Sequence, residues 1–204
     1  MDRSAIEDLL RELSDRLAEK GVRGEMFLLG GAAMALAYST RRSTSDLDAV
    51  FEPKRLIYEM AKSIGRERDL PPNWLNDSVK GFLPGADQNA RVLFDLPGLR
   101  VTIPSPRYLL AMKLMASRIE RDEDDIRLLL GLCGIRTVDE ALDVLHDLYG
   151  NRPIEPKVQY LVAELLVSPR RRGAAEAILD AEPMPAPDLL DLHQERDGHR
   201  GSCS

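Results

Sequence analysis

Residues 30–48 read Gly30-Gly31-Ala32-Ala33-Met34-Ala35-Leu36-Ala37-Tyr38-Ser39-Thr40-Arg41-Arg42-Ser43-Thr44-Ser45-Asp46-Leu47-Asp48. This stretch decides the fold. Just ahead of it, Glu25 to Leu29 is a short apolar run stopped by two glycines, the pattern of a buried strand ending in a tight turn. Ala32 to Tyr38 is small and apolar with good helix formers, which predicts a closely packed helix. A polar, hydroxyl-rich and basic stretch follows, and Asp46 to Phe51 then alternates as a strand does. Residues two apart in a strand project from one side, so the carboxylates of Asp46 and Asp48 are expected together. Leu47 and Ala49 then face the core behind them.

Two adjacent carboxylates repel unless a cation lies between them. Magnesium suits such a pair, because it takes oxygen ligands and is held by one or two carboxylates plus substrate phosphates. A site with two ions is possible on the same chemistry. An isolated Asp-x-Asp is common and reads as a solvent-facing edge. The order in front of it is more specific. Backbone N–H groups at Gly30 and Gly31, between strand and helix, approach phosphate oxygens closely. Arg42 and Thr44 stand four and two residues before Asp46, and add charge-assisted contacts to a triphosphate.

Toward the N-terminus, Ile6, Leu9, Leu10, Leu13 and Leu17 recur at helical spacing, with Ser4 as a cap and Gly21 at the end. Toward the C-terminus, Lys54 to Ile64 is a second amphipathic helix. Residues 66–90 show no regular pattern, with Trp74 expected to pack the region down. Arg91 to Phe94 and Leu99 to Ile103 read as strands joined by the turn-like Asp95-Leu96-Pro97-Gly98. Ser105 before Pro106 marks a helix start, with helices over about 105–120 and 121–132. Thr137-Val138-Asp139-Glu140 fits a capping box for a helix that closes near Gly150. Helical stretches at about 155–167 and 172–181 follow, and residues 183–204 read as a flexible tail. The order predicts the α/β (α+β) class: a small mixed sheet flanked by helices, followed by a C-terminal helical bundle. The expected division is a catalytic domain over 1–104, a helical domain over 105–182 that completes the site, and the tail.

Two further residues stand out. On a helix over 109–120, Lys113 falls within the arc of Leu109, Leu110, Met112 and Ala116. On the next helix Asp125 shares the stripe of Leu128, Leu129 and Leu132. Charges inside apolar stripes are costly unless paired or facing a cleft. The bland alternatives are a snorkelling lysine, a first-turn aspartate favoured by the helix dipole, and a structural ion pair between the two.

Gly30 to Leu36, with Arg42-x-Thr44-x-Asp46-Leu47-Asp48, resembles the signature of the nucleotidyltransferase superfamily, whose small sheet is polymerase-beta-like. The nearest branch by these blocks is the AbiEii and MenT type of bacterial toxin. Tyr108 to Ala116, Arg118, and Arg121-Asp122-Glu123-Asp124-Asp125-Ile126 resemble the second block of that branch. The resemblance implies an NTP-dependent, pyrophosphate-releasing enzyme using Mg2+, with Asp46 and Asp48 as metal ligands and Gly30, Gly31, Arg42, Thr44 and Lys113 on the nucleotide. It also implies that Lys113 contacts triphosphate oxygens and that Asp125 orients the site or assists proton transfer. In the MenT type the acceptor is the 3′ end of tRNA, translation is blocked, and a cognate antitoxin protein is a partner. The chain departs from the pattern at Ala32, where other members often carry serine. A third carboxylate on a later strand is also open, Asp95 beside its turn being the nearby candidate.

Composition bounds the rest. The chain has 204 residues, 44% hydrophobic and 30% charged, which is ordinary globular composition. No apolar run approaches the roughly 20 residues of a membrane helix, and the mixed-charge start lacks a signal segment, so a cytoplasmic enzyme is expected. The net charge of −6 argues against a sequence-independent nucleic-acid binder, leaving local basic groups such as Arg170, Arg171 and Arg172 for RNA. Cys133 and Cys203, with three histidines, supply neither a disulfide framework nor zinc spacing.

Overall fold

The computed structural model describes residues 1–38, 43–116 and 119–167. Arg42, Arg170 to Arg172, the stretch 172–181 and the tail from residue 183 lie outside the described residues.

The chain runs α1 (Arg3–Glu19), β1 (Gly24–Leu28), α2 (Gly30–Ala37), β2 (Leu47–Glu52), α3 (Lys54–Glu67), β3 (Leu75–Asn76), a 3-10 helix (Ser78–Phe82), β4 (Arg91–Asp95) and β5 (Leu99–Ile103). Four helices follow: α4 (Pro106–Ala116), α5 (Ile119–Leu132), α6 (Val138–Tyr149) and α7 (Pro156–Val167). The five strands form one mixed sheet in the order β3-β2-β1-β5-β4. β1 pairs antiparallel with β2 and parallel with β5, while β4 returns antiparallel on β5.

Register follows from the alternation of side chains. Met26 lies opposite both Phe51 and Val101, and Leu28 opposite Ala49, so these residues share one face with Leu47, Leu99 and Ile103. All of them are buried. The apolar stripes of α1 (Ile6, Leu9, Leu10, Leu13, Leu17) and α3 (Ile57, Met60, Ala61, Ile64) are buried in the same core. Slipping one strand by a residue would turn its whole apolar set outward, which fixes the pairing. The other face carries Phe27, Val50 and Thr102, half-buried, with Asp48 in line with them. Tyr108 of α4 meets Phe27 there edge-on, ring centroids 5.9 Å apart.

Local signals act as the sequence dictates, with one correction. The N-cap of α1 is Asp2, whose carboxylate accepts from Ala5 N at 2.9 Å, and not Ser4; the helix begins at Arg3, which already places Ser4 inside it. Ser105 caps α4, its Oγ accepting from Tyr108 N at 3.3 Å. At α6 the capping box closes both ways: Thr137 Oγ1 accepts from Glu140 N, and the Glu140 carboxylate accepts from Thr137 N. Trp74 is buried, its indole N–H donating to Ala61 O at 3.0 Å, and it holds the irregular connection after α3 against the core. No described helix is long and apolar enough to cross a membrane.

Candidate active site

β1 and β5 run parallel, and β2 starts where β1 ends. The turn after β1, the first residues of β2 and the connection from β5 into α4 therefore share one end of the sheet. At this end Gly30 has φ +57°, a left-handed conformation that side-chain-bearing residues adopt only at a cost. A β-carbon on Gly30 would lie 3.0 Å from Asp48 Oδ2, and one on Gly31 would lie 2.8 Å from Thr44 Oγ1. The backbone of the turn is thus pressed against both side chains. Leu29 N donates to Asp48 O at 2.8 Å, which carries the strand pairing right up to the turn. Leu29 also occupies the cap position of α2 and offers no side-chain acceptor, so the first amides of that helix are presented at the turn.

The loop before β2 is ordered around Thr44, whose hydroxyl donates to Asp46 O at 2.9 Å and whose amide donates to Met1 O at 2.9 Å. β2 begins at Leu47, one residue later than the alternation predicts, so Asp46 lies in the bend just ahead of the strand. The alternation still runs through it: Leu47 and Ala49 are fully buried, while Asp46 and Asp48 are half-buried. Asp46 Oδ1 accepts from Ser45 Oγ at 3.0 Å, and Asn76 Nδ2 stands 3.5 Å from Asp46 Oδ2. Gly30, Gly31, Thr44, Asp46 and Asp48 are therefore drawn into one small region. Asn76, to which no sequence pattern pointed, joins them from β3.

Lys113 and Asp125 meet elsewhere, between α4 and α5. Lys113 is 8% exposed and Asp125 4%, and the ammonium lies 2.8 Å from Asp125 Oδ2. It lies closer still, at 2.6 Å, to Asp122 Oδ1. Asp122 is thus a full member of this cluster. Spacing could have shown it, because Asp122 and Asp125 are three apart on one helix face.

Asp95 is not a third member of the acidic site. It ends β4 opposite Arg100, at the start of β5, so it lies on the far edge strand and at the other end of the sheet from Gly30. It is exposed there and ion-paired with Arg23. On β5 the residue in line with Phe27 is Thr102, whose hydroxyl donates to Met26 O at 3.3 Å. Among the described residues no group of three or more acidic, histidine or cysteine side chains is arranged to hold a metal ion. What the turn offers is two carboxylates beside the uncapped amides at the start of α2. That donor set fits an ion arriving with phosphate ligands better than one held by protein alone.

Burial pushes the Tyr108 phenol up to about 12, so it stays protonated and donates to Gly85 O at 2.7 Å. Asp87 receives Ser105 N at 2.6 Å and Ser105 Oγ at 3.2 Å, and Tyr149 OH donates to Phe82 O at 2.9 Å. The connection from β3 to β4 is thereby tied to the starts and ends of the helices that follow.

No curated protein and no solved structure shows a significant match to the chain. A family of nucleotidyltransferases of unknown function matches residues 4–149, more than half of the chain, and covers the glycine turn, the Asp46–Asp48 pair and the Lys113 cluster alike. The chain belongs to this family, the nucleotidyltransferases of unknown function designated DUF6036.

Proposed function

We propose that the chain transfers a nucleoside monophosphate from an NTP to an acceptor hydroxyl. The bond between acceptor oxygen and α-phosphorus forms as the hydroxyl gives up its proton to solvent, the bond from that phosphorus to the bridging oxygen breaks, and pyrophosphate leaves. The observation that carries this reading is the contact of Gly30 with Asp48 and of Gly31 with Thr44. This packing sets the uncapped amides at the start of α2 beside two carboxylates, where a triphosphate and its cation can be met together. Asp46 and Asp48 would hold Mg2+, which when bound neutralises phosphate charge. The amides at the start of α2 contact phosphate oxygens, and Thr44 fixes the loop that carries Asp46. An ammonium has three hydrogens. Lys113 is engaged by Asp122 and Asp125, and its remaining hydrogen is assigned to a triphosphate oxygen on the family resemblance alone. Arg42 is a further phosphate contact on the sequence pattern, and α4 and α5 complete the site as the helical part of the enzyme.

The acceptor in this reading is RNA, specifically the 3′ end of tRNA, and the protein is a toxin neutralised by a cognate antitoxin in the cytoplasm. The support is the resemblance of the two sequence blocks to AbiEii and MenT type toxins. Incubation with labelled NTPs, Mg2+ and total RNA, beside an Asp48→Ala control, tests it. Label in RNA that the control abolishes is the expected result. Label in a protein band would move the acceptor to a side chain, and no transfer, or equal transfer by the control, would sink the reading.

Two observations favour a second reading. Lys113 is already engaged by two carboxylates, and Asp95, the candidate third carboxylate, lies at the other end of the sheet. A non-catalytic scaffold or antitoxin-like partner of this fold would tolerate both. Calorimetry separates the two, since such a scaffold takes up neither Mg2+ nor NTP.

A further inference from the structure

β3 is two residues long, yet it is firmly placed. Leu75 lies opposite Leu47 and Asn76 opposite Asp48 in parallel register, and Leu47 N donates to Trp74 O at 2.6 Å. On the other side of Asn76, Asp77 accepts from Tyr58 OH at 2.6 Å and from the Lys54 ammonium, and Asp77 N donates back to the Tyr58 oxygen at 3.2 Å. The Lys54 ammonium, followed by the Tyr58 hydroxyl, holds the Asp77 carboxyl below its ordinary range, so this anchor stays charged. Asn76 is therefore pinned from both neighbours.

The orientation of its amide is fixed as well. Asn76 Oδ1 accepts from Ser78 N at 3.1 Å and from Ser78 Oγ at 2.5 Å, which assigns the oxygen to that side. The NH2 group is left facing Asp46 Oδ2 at 3.5 Å, the long end of hydrogen-bond reach. An amide in this place steadies a carboxylate without adding a negative charge to a site that already has two.

We propose that Asn76 is a positioning residue of the metal and nucleotide site, orienting Asp46 through its amide. The proposal rests on the nucleotidyltransferase reading above. Outer partners of metal-binding carboxylates are worth about tenfold or more in affinity. Asn76→Ala removes the donor and lowers Mn2+ affinity about tenfold. Asn76→Asp is nearly isosteric, keeps the acceptor for Ser78, and sets a third carboxylate against Asp46, so Mn2+ affinity rises about tenfold.

The experiment is calorimetric titration of the full chain with Mn2+ in the presence of a non-hydrolysable NTP analogue, beside thermal melts. Opposite shifts in the two variants are expected, a signature that a purely structural asparagine would not give. Shifts in the same direction, or both variants within twofold of wild type, overturn the assignment while leaving the two-carboxylate site standing. Wild-type protein that takes up no Mn2+ with the analogue overturns both. Should Asn76→Ala unfold, Asn76→Asp decides alone, and unchanged or weakened Mn2+ binding overturns the proposal.

Discussion

Gly31 and Thr44 are packed so that a β-carbon on the glycine would stand 2.8 Å from the threonine hydroxyl oxygen. That separation is shorter than real β-carbon contacts, so a side chain at 31 must displace the loop that leads into Asp46. Overpacking of this kind costs about 1–3 kcal/mol. Gly31→Ala is expected to lower stability by that amount in urea melts and to weaken NTP binding at least tenfold by calorimetry. Gly30→Ala adds the cost of a left-handed residue, about 1–2 kcal/mol, with the same loss of binding. If both variants bind NTP as wild type does, the turn is not the phosphate cradle.

The Lys113 ammonium bridges Asp122 and the buried Asp125, and removing it takes from both carboxylates the cation they share. Breaking a buried pair costs about 3–5 kcal/mol. Lys113→Met should show a loss of that order by denaturant unfolding, and Lys113→Met with Asp122→Leu should recover part of it. Transfer activity should stay absent in the double variant. Recovery of both stability and activity would make the cluster a structural brace and nothing more.

The Glu67 carboxyl is held down to about 2 from an ordinary 4.5 by its hydrogen bond to the Arg16 guanidinium, with the Ser63 hydroxyl adding to it. A folded value below the unfolded one stabilises fully above about pH 4.5, and this is lost as pH falls toward about 2. Urea midpoints followed from pH 6 to pH 2 should fall more steeply for wild type than for Arg16→Met. Parallel profiles would show that the pair contributes nothing measurable, as many exposed ion pairs do.

Trp74 is the sole tryptophan and is 2% exposed, so native emission should be blue-shifted and should move red on unfolding. Trp74→Phe leaves the Ala61 carbonyl without its indole donor and should cost about 1–3 kcal/mol by thermal melt. A melt unchanged within error would mean that the side chain only fills space.

Much of this was legible in the sequence because it rests on short-range rules. The stripe of α1, the alternation from Asp46 to Phe51, the capping box at Thr137 and the proline start of α4 are local signals, and the elements stand where they put them, save that β2 starts one residue later. The glycine turn was readable too, since strand, Gly-Gly and helix in that order leave few alternatives. Asn76 was not readable. Its place depends on a two-residue strand whose pairing with β2 spans a helix and a loop, and no periodicity marks so short an element. The role of Asp95 was equally hidden, because which end of the sheet it occupies depends on β5 lying parallel to β1, a long-range pairing. Asp122 shares a helix face with Asp125 at a spacing of three, yet it stands in an acidic run. Its neighbours Glu123, Asp124 and Asp125 are acidic as well, so spacing narrows the choice and packing against α4 completes it.

The parallel pairing of β1 with β5 joins Gly24 to Leu99 across the whole of the intervening chain. Contacts so distant in sequence are slow to form, because a long loop must close first. During synthesis the glycine turn and its two carboxylates emerge early, yet the central strand keeps one bare edge until residue 103 has left the ribosome. A nascent or prematurely terminated product therefore displays the acidic motif without the scaffold that stiffens it, and the sheet is complete only with its last strand.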